Sequence, residues 1–218
     1  MNAPRPRMVQ QVLAFNLHPE RTLHASWLPA DWPARYRRLG RYGEGAQAVL
    51  GDCLRRWPGG SVPQEFDFDT PLRRIALMDG PALRRLAAYA GFATHRTAFA
   101  LRGVAPVLRR QAQRYDRDAA QFVQQRLPAP SAFAMNTSSL EARPVAAGHV
   151  VVERGYRLLL ALLAPEGEAL LQRVRHKLPR RVSALAPPEL KPAQHEQLAE
   201  LVLLCIVPER LPTWDWLF

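Results

Sequence analysis

Thr70-Pro-Leu-Arg-Arg-Ile-Ala-Leu-Met-Asp-Gly-Pro-Ala-Leu-Arg-Arg-Leu-Ala-Ala-Tyr-Ala-Gly91 is the stretch whose reading decides the fold. Thr70 offers an acceptor to the free N–H groups of a first helical turn, and Pro71 suits the position after it because an N–H there would have no partner. Leu72, Ile75 and Ala76 then recur at helical spacing. Asp79-Gly80-Pro81 repeats the start signal. Leu83, Leu86, Ala87 and Ala90 share the next buried face, and Gly91 is the predicted stop, since glycine readily enters the left-handed conformation that ends helices. The doublets Arg73-Arg74 and Arg84-Arg85 flank these stripes and are predicted to project outward.

Working outward, Thr70 to Leu127 holds eleven arginines against Asp79, Asp116 and Asp118, a net +8 of the chain's +11. Thr94 to Arg102 reads as a short helix. Across and beyond Gly103, Leu101, Leu108, Tyr115 and Phe122 recur every seven residues, with Ala112 and Ala119 between them. The spacing predicts one long helix with both aromatics inward and Arg109, Arg110, Gln113, Arg114, Arg117, Gln121 and Gln124 outward. Pro128-Ala-Pro130 ends it.

Toward the N-terminus, residues 1–33 carry five prolines, and Val9 to Leu17 reads as a strand or as one or two helical turns. Ala34–Leu39 and Gly45–Trp57 read as helices, the second with Ala46, Val49, Leu50 and Cys53 inward. Pro58-Gly-Gly60 stops it and Ser61–Asp69 is loop. Toward the C-terminus, Ser131–Ser139 is a small-residue connection. Pro144 starts the most apolar helix, Val145–Ala164. Pro165–Leu178 opens on Glu166 and Glu168 and closes on Arg173, Arg175, His176 and Lys177, a charge order that complements the helix dipole. Pro187–Val207 is the last helix, with Leu198, Leu201, Val202 and Cys205 inward. The fold class is therefore mainly α: a multi-helix domain over 1–218 with a less regular, proline-rich N-terminal segment, divisible into a subdomain 1–64 and a helical body 65–218. The Leu-Arg-Arg triplets lie 18, 11 and 25 residues apart, too irregular for a repeat architecture.

With 48% hydrophobic and 22% charged residues the composition is globular. Its bases are 28 Arg and 2 Lys, which with abundant Ala and Pro resembles GC-rich coding; a net +11 nonetheless favours acidic partners. Cys53 and Cys205 lie 152 residues apart outside any metal or redox spacing and are expected to be buried free thiols. Met1 to Gln11 lacks the apolar run of a secretory signal, and Leu158 to Ala164 is too short to span a bilayer, so a soluble intracellular protein is expected without membrane insertion.

Catalytic signatures are weak. Gly43-Glu-Gly45 lacks the preceding buried strand that a dinucleotide fingerprint needs, and no phosphate-binding loop occurs. His195-Glu196 lacks the second histidine of a zinc-protease motif, Ala standing at 199. Asp67-Phe-Asp69 reads as a turn and cap, with a divalent-cation site as the alternative. His18, His24, His95, His149 and His176 show no ligand spacing. No enzyme, cofactor, metal or small-molecule substrate is expected. Nucleic-acid binding is weakened by the inward placement of Tyr115 and Phe122, because single-strand binders interleave exposed aromatics with bases. Trp214 and Trp216 read as a partner anchor or as a tail packed back on the domain.

The order of these features resembles the SctK family of type III secretion accessory proteins, closest to the PscK type of its YscK/PscK members. The likeness is carried by Phe15-Asn-Leu-His-Pro-Glu-Arg-Thr-Leu-His-Ala-Ser-Trp-Leu-Pro29, Leu72-Arg-Arg-Ile-Ala-Leu77, Leu83-Arg-Arg-Leu-Ala-Ala-Tyr-Ala-Gly91, Val107-Leu-Arg-Arg110 through Phe122-Val-Gln-Gln-Arg-Leu-Pro128, the apolar run Leu158–Leu163 and the aromatic C-terminus. The resemblance implies a non-enzymatic adaptor of the sorting platform at the cytoplasmic face of the bacterial inner membrane. It would link the cytoplasmic domain of the inner-membrane ring protein (SctD) to the spoke protein (SctQ), and through it to the stalk (SctL) and ATPase. It carries no catalytic or metal residue onto this chain. The expected docking residues are Arg73, Arg74, Arg84, Arg85, Arg109, Arg110, Arg114, Trp214 and Trp216, with a basic nucleic-acid-binding module as the alternative.

Overall fold

The start signals at Thr70 and Asp79 each open a helix, and every regular element described in the computed structural model is helical; residues 6–28, 43–56, 63–100, 105–127, 140 and 142–218 are described. The helices are α1 (Pro6–Leu17), α2 (Glu44–Arg56), α3 (Pro71–Ile75), α4 (Gly80–Thr94), α5 (Ala105–Tyr115), α6 (Arg117–Arg126), α7 (Ala147–Leu163), α8 (Glu168–Lys177), α9 (Arg180–Ser183), α10 (Pro192–Glu200) and α11 (Val207–Arg210). No described strand occurs, so the mainly-α expectation is met. No described helix is long and apolar enough to cross a membrane. The readings at Ala34–Leu39, Pro58-Gly-Gly60, Leu101 to Gly103 and Pro128–Ser139 lie outside the described residues.

The described residues fall into two compact units, each assembled from separated segments. The first takes residues 1–80, 163–185 and 217–218. In it the Thr70 hydroxyl accepts from the Arg73 N–H at 3.3 Å, capping α3 as its position predicts. Ile75, Ala76, Leu77 and Met78 follow into the core. Val9 to Leu17 belongs to α1, whose Phe15 ring meets Phe68 edge to face at 5.4 Å. The Asn16 side chain pairs the backbone of Glu65 in both directions, accepting from its N–H at 2.7 Å and donating to its carbonyl at 2.6 Å. That bond fastens the irregular segment 63–69 to α1.

Two expectations fail in this unit. Among the residues of α2 whose side chains are described, Leu50 and Gly51 are buried, while Ala46, Val49 and Cys53 are exposed. The roll has a steric reason: a Cβ on Gly51 would lie 2.9 Å from the Glu20 carboxylate, so the glycine lets this face approach the buried Glu20. Cys53 is thus an exposed thiol, and Cys205 is only half-buried; both are free, as expected. Secondly, α8 begins at Glu168, after a short turn Ala164–Glu166 closed by Gly167 at φ 119°, a conformation that disfavours side chains.

The second unit takes residues 81–162 and 186–216. Its centre is the crossing of α4 and α7. A Cβ on Gly91 would collide with the Val151 carbonyl, and one on Gly155 with the Ala87 carbonyl. Gly91 is therefore a contact point and not a stop: α4 runs on to Thr94 because the glycine permits helix backbones to touch. Leu83, Leu86, Tyr89, Phe92, Leu159, Leu160 and Leu162 pack in its core.

The long helix predicted through Tyr115 is two helices. Asp116 adopts extended backbone, and its carboxylate accepts from the Ala119 N–H at 2.9 Å, so it ends α5 and caps α6. Tyr115 consequently leaves the buried stripe and is 42% exposed, whereas Phe122 stays buried. The last helix starts at Pro192, later than Pro187, and passes through a π-helical turn, Leu201–Ile206, ahead of Pro208. Pro208 has no N–H to give the Leu204 carbonyl, and the turn widens there.

Candidate functional site

The four arginines of the doublets Arg73-Arg74 and Arg84-Arg85 have different fates. Arg73 donates through Nε to the Asp67 carbonyl at 2.6 Å and through Nη1 to the Glu166 carbonyl at 3.0 Å, and its Nη2 lies 2.6 Å from the Glu65 carboxylate. Arg74 donates to the carbonyls of Phe68, Asp69 and Leu217. Both are half-buried and stitch irregular backbone to α3; the prediction that they project outward is corrected. A short helix beside a loop presents unsatisfied carbonyls, and guanidinium groups with several N–H donors satisfy them. Arg84 and Arg85 in the second unit are exposed.

Arg85 is nonetheless engaged. It donates to the Tyr89 hydroxyl at 3.2 Å and lies 3.6 Å from the Asp118 carboxylate. Tyr89 donates to the same carboxylate, which Arg210 reaches from α11 at 3.3 Å, its guanidinium 4.2 Å above the Phe122 ring. The bond that Arg85 donates to Tyr89, followed by the fields of Tyr89, Asp118 and Asp116, raises Arg85 above its ordinary value despite some desolvation. Burial, then the bond to Asp118, pushes the Tyr89 phenol up to about 12. This network joins α4, α6 and α11.

Arg109, Arg110 and Arg114 are all exposed on α5, as their spacing predicts. Val107, Arg110 and Arg114 follow one another at i, i+3 and i+7 and so share a helix face. Past them the exposed Tyr115 ring meets the ring of exposed His149 edge to face at 4.9 Å. Gly148 makes this contact close, since a Cβ there would sit 2.6 Å from Tyr115 Cβ. The reading of the heptad spacing missed this pair. Its signal was nevertheless present, for Asp116 followed by Asp118 is the acid-rich start of a new helix.

Trp214 and Trp216 are half-buried and stacked, with ring centroids 6.5 Å apart and planes 25° apart. A small cleft of about 200 Å³ in the second unit is lined by Arg154, Arg157, Leu158, Glu189, Leu190 and Gln194, among others. Arg154 also donates to His95 Nε2 at 2.6 Å, while His95 Nδ1 lies 2.8 Å from the Gly91 carbonyl. A carbonyl only accepts and a guanidinium only donates, so the ring is neutral with its proton on Nδ1. Burial pushes His95 down to about 4, which agrees. Asp67 Oδ1 accepts from the Asp69 N–H at 3.1 Å, the turn geometry expected of that pair. No three described His, Cys, Asp or Glu residues group closely enough for a metal ion.

The arginines of α4 and α5 and the tryptophan pair thus belong to one unit, and Arg73 and Arg74 to the other. What the exposed arginines offer chemically is attraction for carboxylates or phosphates. Comparison of the chain with protein-family models, with curated proteins and with solved structures finds no match.

Proposed function

We propose that the chain is a non-enzymatic adaptor of a type III secretion sorting platform, linking the cytoplasmic domain of the inner-membrane ring protein to the spoke protein, and indirectly to the stalk and ATPase. The resemblance quoted above suggests the system. The observation that carries the docking role is the exposure of Arg109, Arg110 and Arg114 along α5. A peripheral position at the cytoplasmic face of the inner membrane follows from that role, the chain being held there by protein contacts. The test is co-purification of the full chain with the ring domain and the spoke protein. The reading expects both to be retained, and charge reversal at Arg109 and Arg110 to release one of them. Failure to retain either partner rejects the reading.

A second reading, a basic nucleic-acid-binding module, gains from the exposed position of Tyr115 among the arginines. It expects affinity for a single-stranded oligonucleotide that falls steeply with salt as counterions are released. Flat or absent binding between low and moderate salt rejects it.

A further inference from the structure

The arginines of α5 stand among exposed apolar and aromatic groups that a purely electrostatic surface would not need. Val107 is 40% exposed on the same helix face as Arg110 and Arg114. The turn Pro144–Ala146 packs against α5 and leaves Val145 74% exposed. Tyr115 and His149 stand edge to face at the end of the helix. Within this unit Asp118, on α6, is already shared among Tyr89, Arg85 and Arg210, so it does not neutralise the α5 arginines.

We propose that Val107, Arg110, Arg114, Tyr115, Val145 and His149 form a docking surface for an acidic segment of a protein partner, one that brings an apolar side chain alongside its carboxylates. The inference rests on the adaptor reading and names the partner chemistry of its basic face. Charge complementarity selects an anion, since guanidinium groups pair carboxylates and phosphates alike. The apolar residues decide between them. Val107 and Val145 are aliphatic and give a nucleic-acid base no ring to stack on, whereas a protein segment with Leu or Phe between its acids covers both. Arg and Tyr together are also the residue types that dominate the binding energy of protein interfaces. The tyrosine and histidine edges supply polar contacts at the rim of the same patch.

The experiment uses the full chain and two fluorescent probes: a synthetic 18-residue helical peptide with Glu at i and i+4 and Leu between them, and a single-stranded 18-nucleotide oligonucleotide. The expected result is peptide binding that weakens about tenfold or more in R110E/R114E, the equivalent of about 1.4 kcal/mol, and severalfold in Y115A. R181E, exposed in the other unit, should leave it unchanged. Circular dichroism establishes that each variant is folded; should the reversal disturb the helix, R110Q/R114Q replaces it with the same expected direction. Peptide binding that is absent in the wild type or indifferent to all these variants overturns the proposal. Oligonucleotide binding that is tighter than peptide binding and lost in the same variants also overturns it, in favour of a phosphate-binding face. If the variants lose the peptide but keep the ring and spoke proteins, the surface stands and its link to the adaptor role falls. If the wild type binds the peptide but retains neither protein, the adaptor reading fails and the surface stands.

Discussion

Lys177 Nζ lies 2.7 Å from the Ala76 carbonyl and 2.9 Å from that of Met78, with the Phe15 ring 4.9 Å away, and the side chain is buried. A neutral amine keeps two N–H donors, enough for both carbonyls, so this site does not need the charge. Burial pushes Lys177 down to about 7; Asp79 opposes the shift and Arg173 adds to it. The unfolded chain binds this proton below about 10.5 and the folded chain only below about 7, so between those values the unfolded state holds more protons and stability rises with pH. The first unit should therefore melt at a higher temperature at pH 9 than at pH 7, with a slope approaching ~1.4 kcal/mol per pH unit. His176, lowered by burial and by Arg173, titrates below this window and does not contribute within it. Thermal denaturation of the wild type and K177M across pH 7 to 9.5 checks this. The variant should lose the slope, and an unchanged slope would assign it to another group. K177M should also be less stable at pH 9 by roughly 1–3 kcal/mol, because the two carbonyls lose their donor. Arginine could not replace this lysine, since it keeps its proton at any ordinary pH. A lysine in a chain whose bases are almost all arginine was thus a readable signal.

At the scale of elements, Gly155 and Gly91 set how closely α4 and α7 approach. Gly155→Ala places a methyl against the Ala87 carbonyl, which belongs to helix backbone and cannot rotate away. Overpacking of this kind costs typically ~1–3 kcal/mol, and here the helices must separate to relieve it, so the upper end or beyond is expected. Gly45→Ala, where a Cβ meets open space, should be neutral or slightly stabilising. Chemical denaturation of both variants tests the contrast. Asp116→Ala removes the cap of α6 and should cost about 1 kcal/mol by the same measurement. These elements also show what the residue pattern could and could not reveal. Thr70 and the Leu83–Ala90 stripe were legible because a cap and a helix face are local properties. Gly91 was misread as a stop because its role depends on Val151, sixty residues away. The outward arginines of α5 were readable from helical spacing alone. The carbonyls that hold Arg73 and Arg74 come from irregular backbone, which leaves no periodic trace, and Tyr115 was misplaced because one capping aspartate outweighed a perfect heptad.

At the scale of the whole molecule, the chain passes between its two units at Gly80–Pro81, Leu162–Leu163, Leu185–Ala186 and Trp216–Leu217, so neither unit is a continuous segment. The N-terminal part depends on its distant partner segment for specific groups. Arg173 donates to the Phe15 and Pro63 carbonyls, Lys177 to those of Ala76 and Met78, and the Leu178 carbonyl accepts from Trp27 Nε1 at 2.9 Å. The fragment 1–80 alone leaves these groups unpaired and uncovers the Phe15 ring, which lies against Arg173 and Lys177 and is 4% exposed in the folded chain. With too little core left to offset the entropy of ordering its backbone, the fragment should show weak helicity and no cooperative melt by circular dichroism. Adding a peptide of residues 163–185 should recover part of the helical signal, in a saturable way, because it restores the α8 cations and carbonyls in one piece. The same peptide with Arg173→Ala and Lys177→Ala should recover much less. A fragment 1–80 that melts cooperatively by itself would mean that its core stands without α8, and that the buried cations are fitted to a structure already formed.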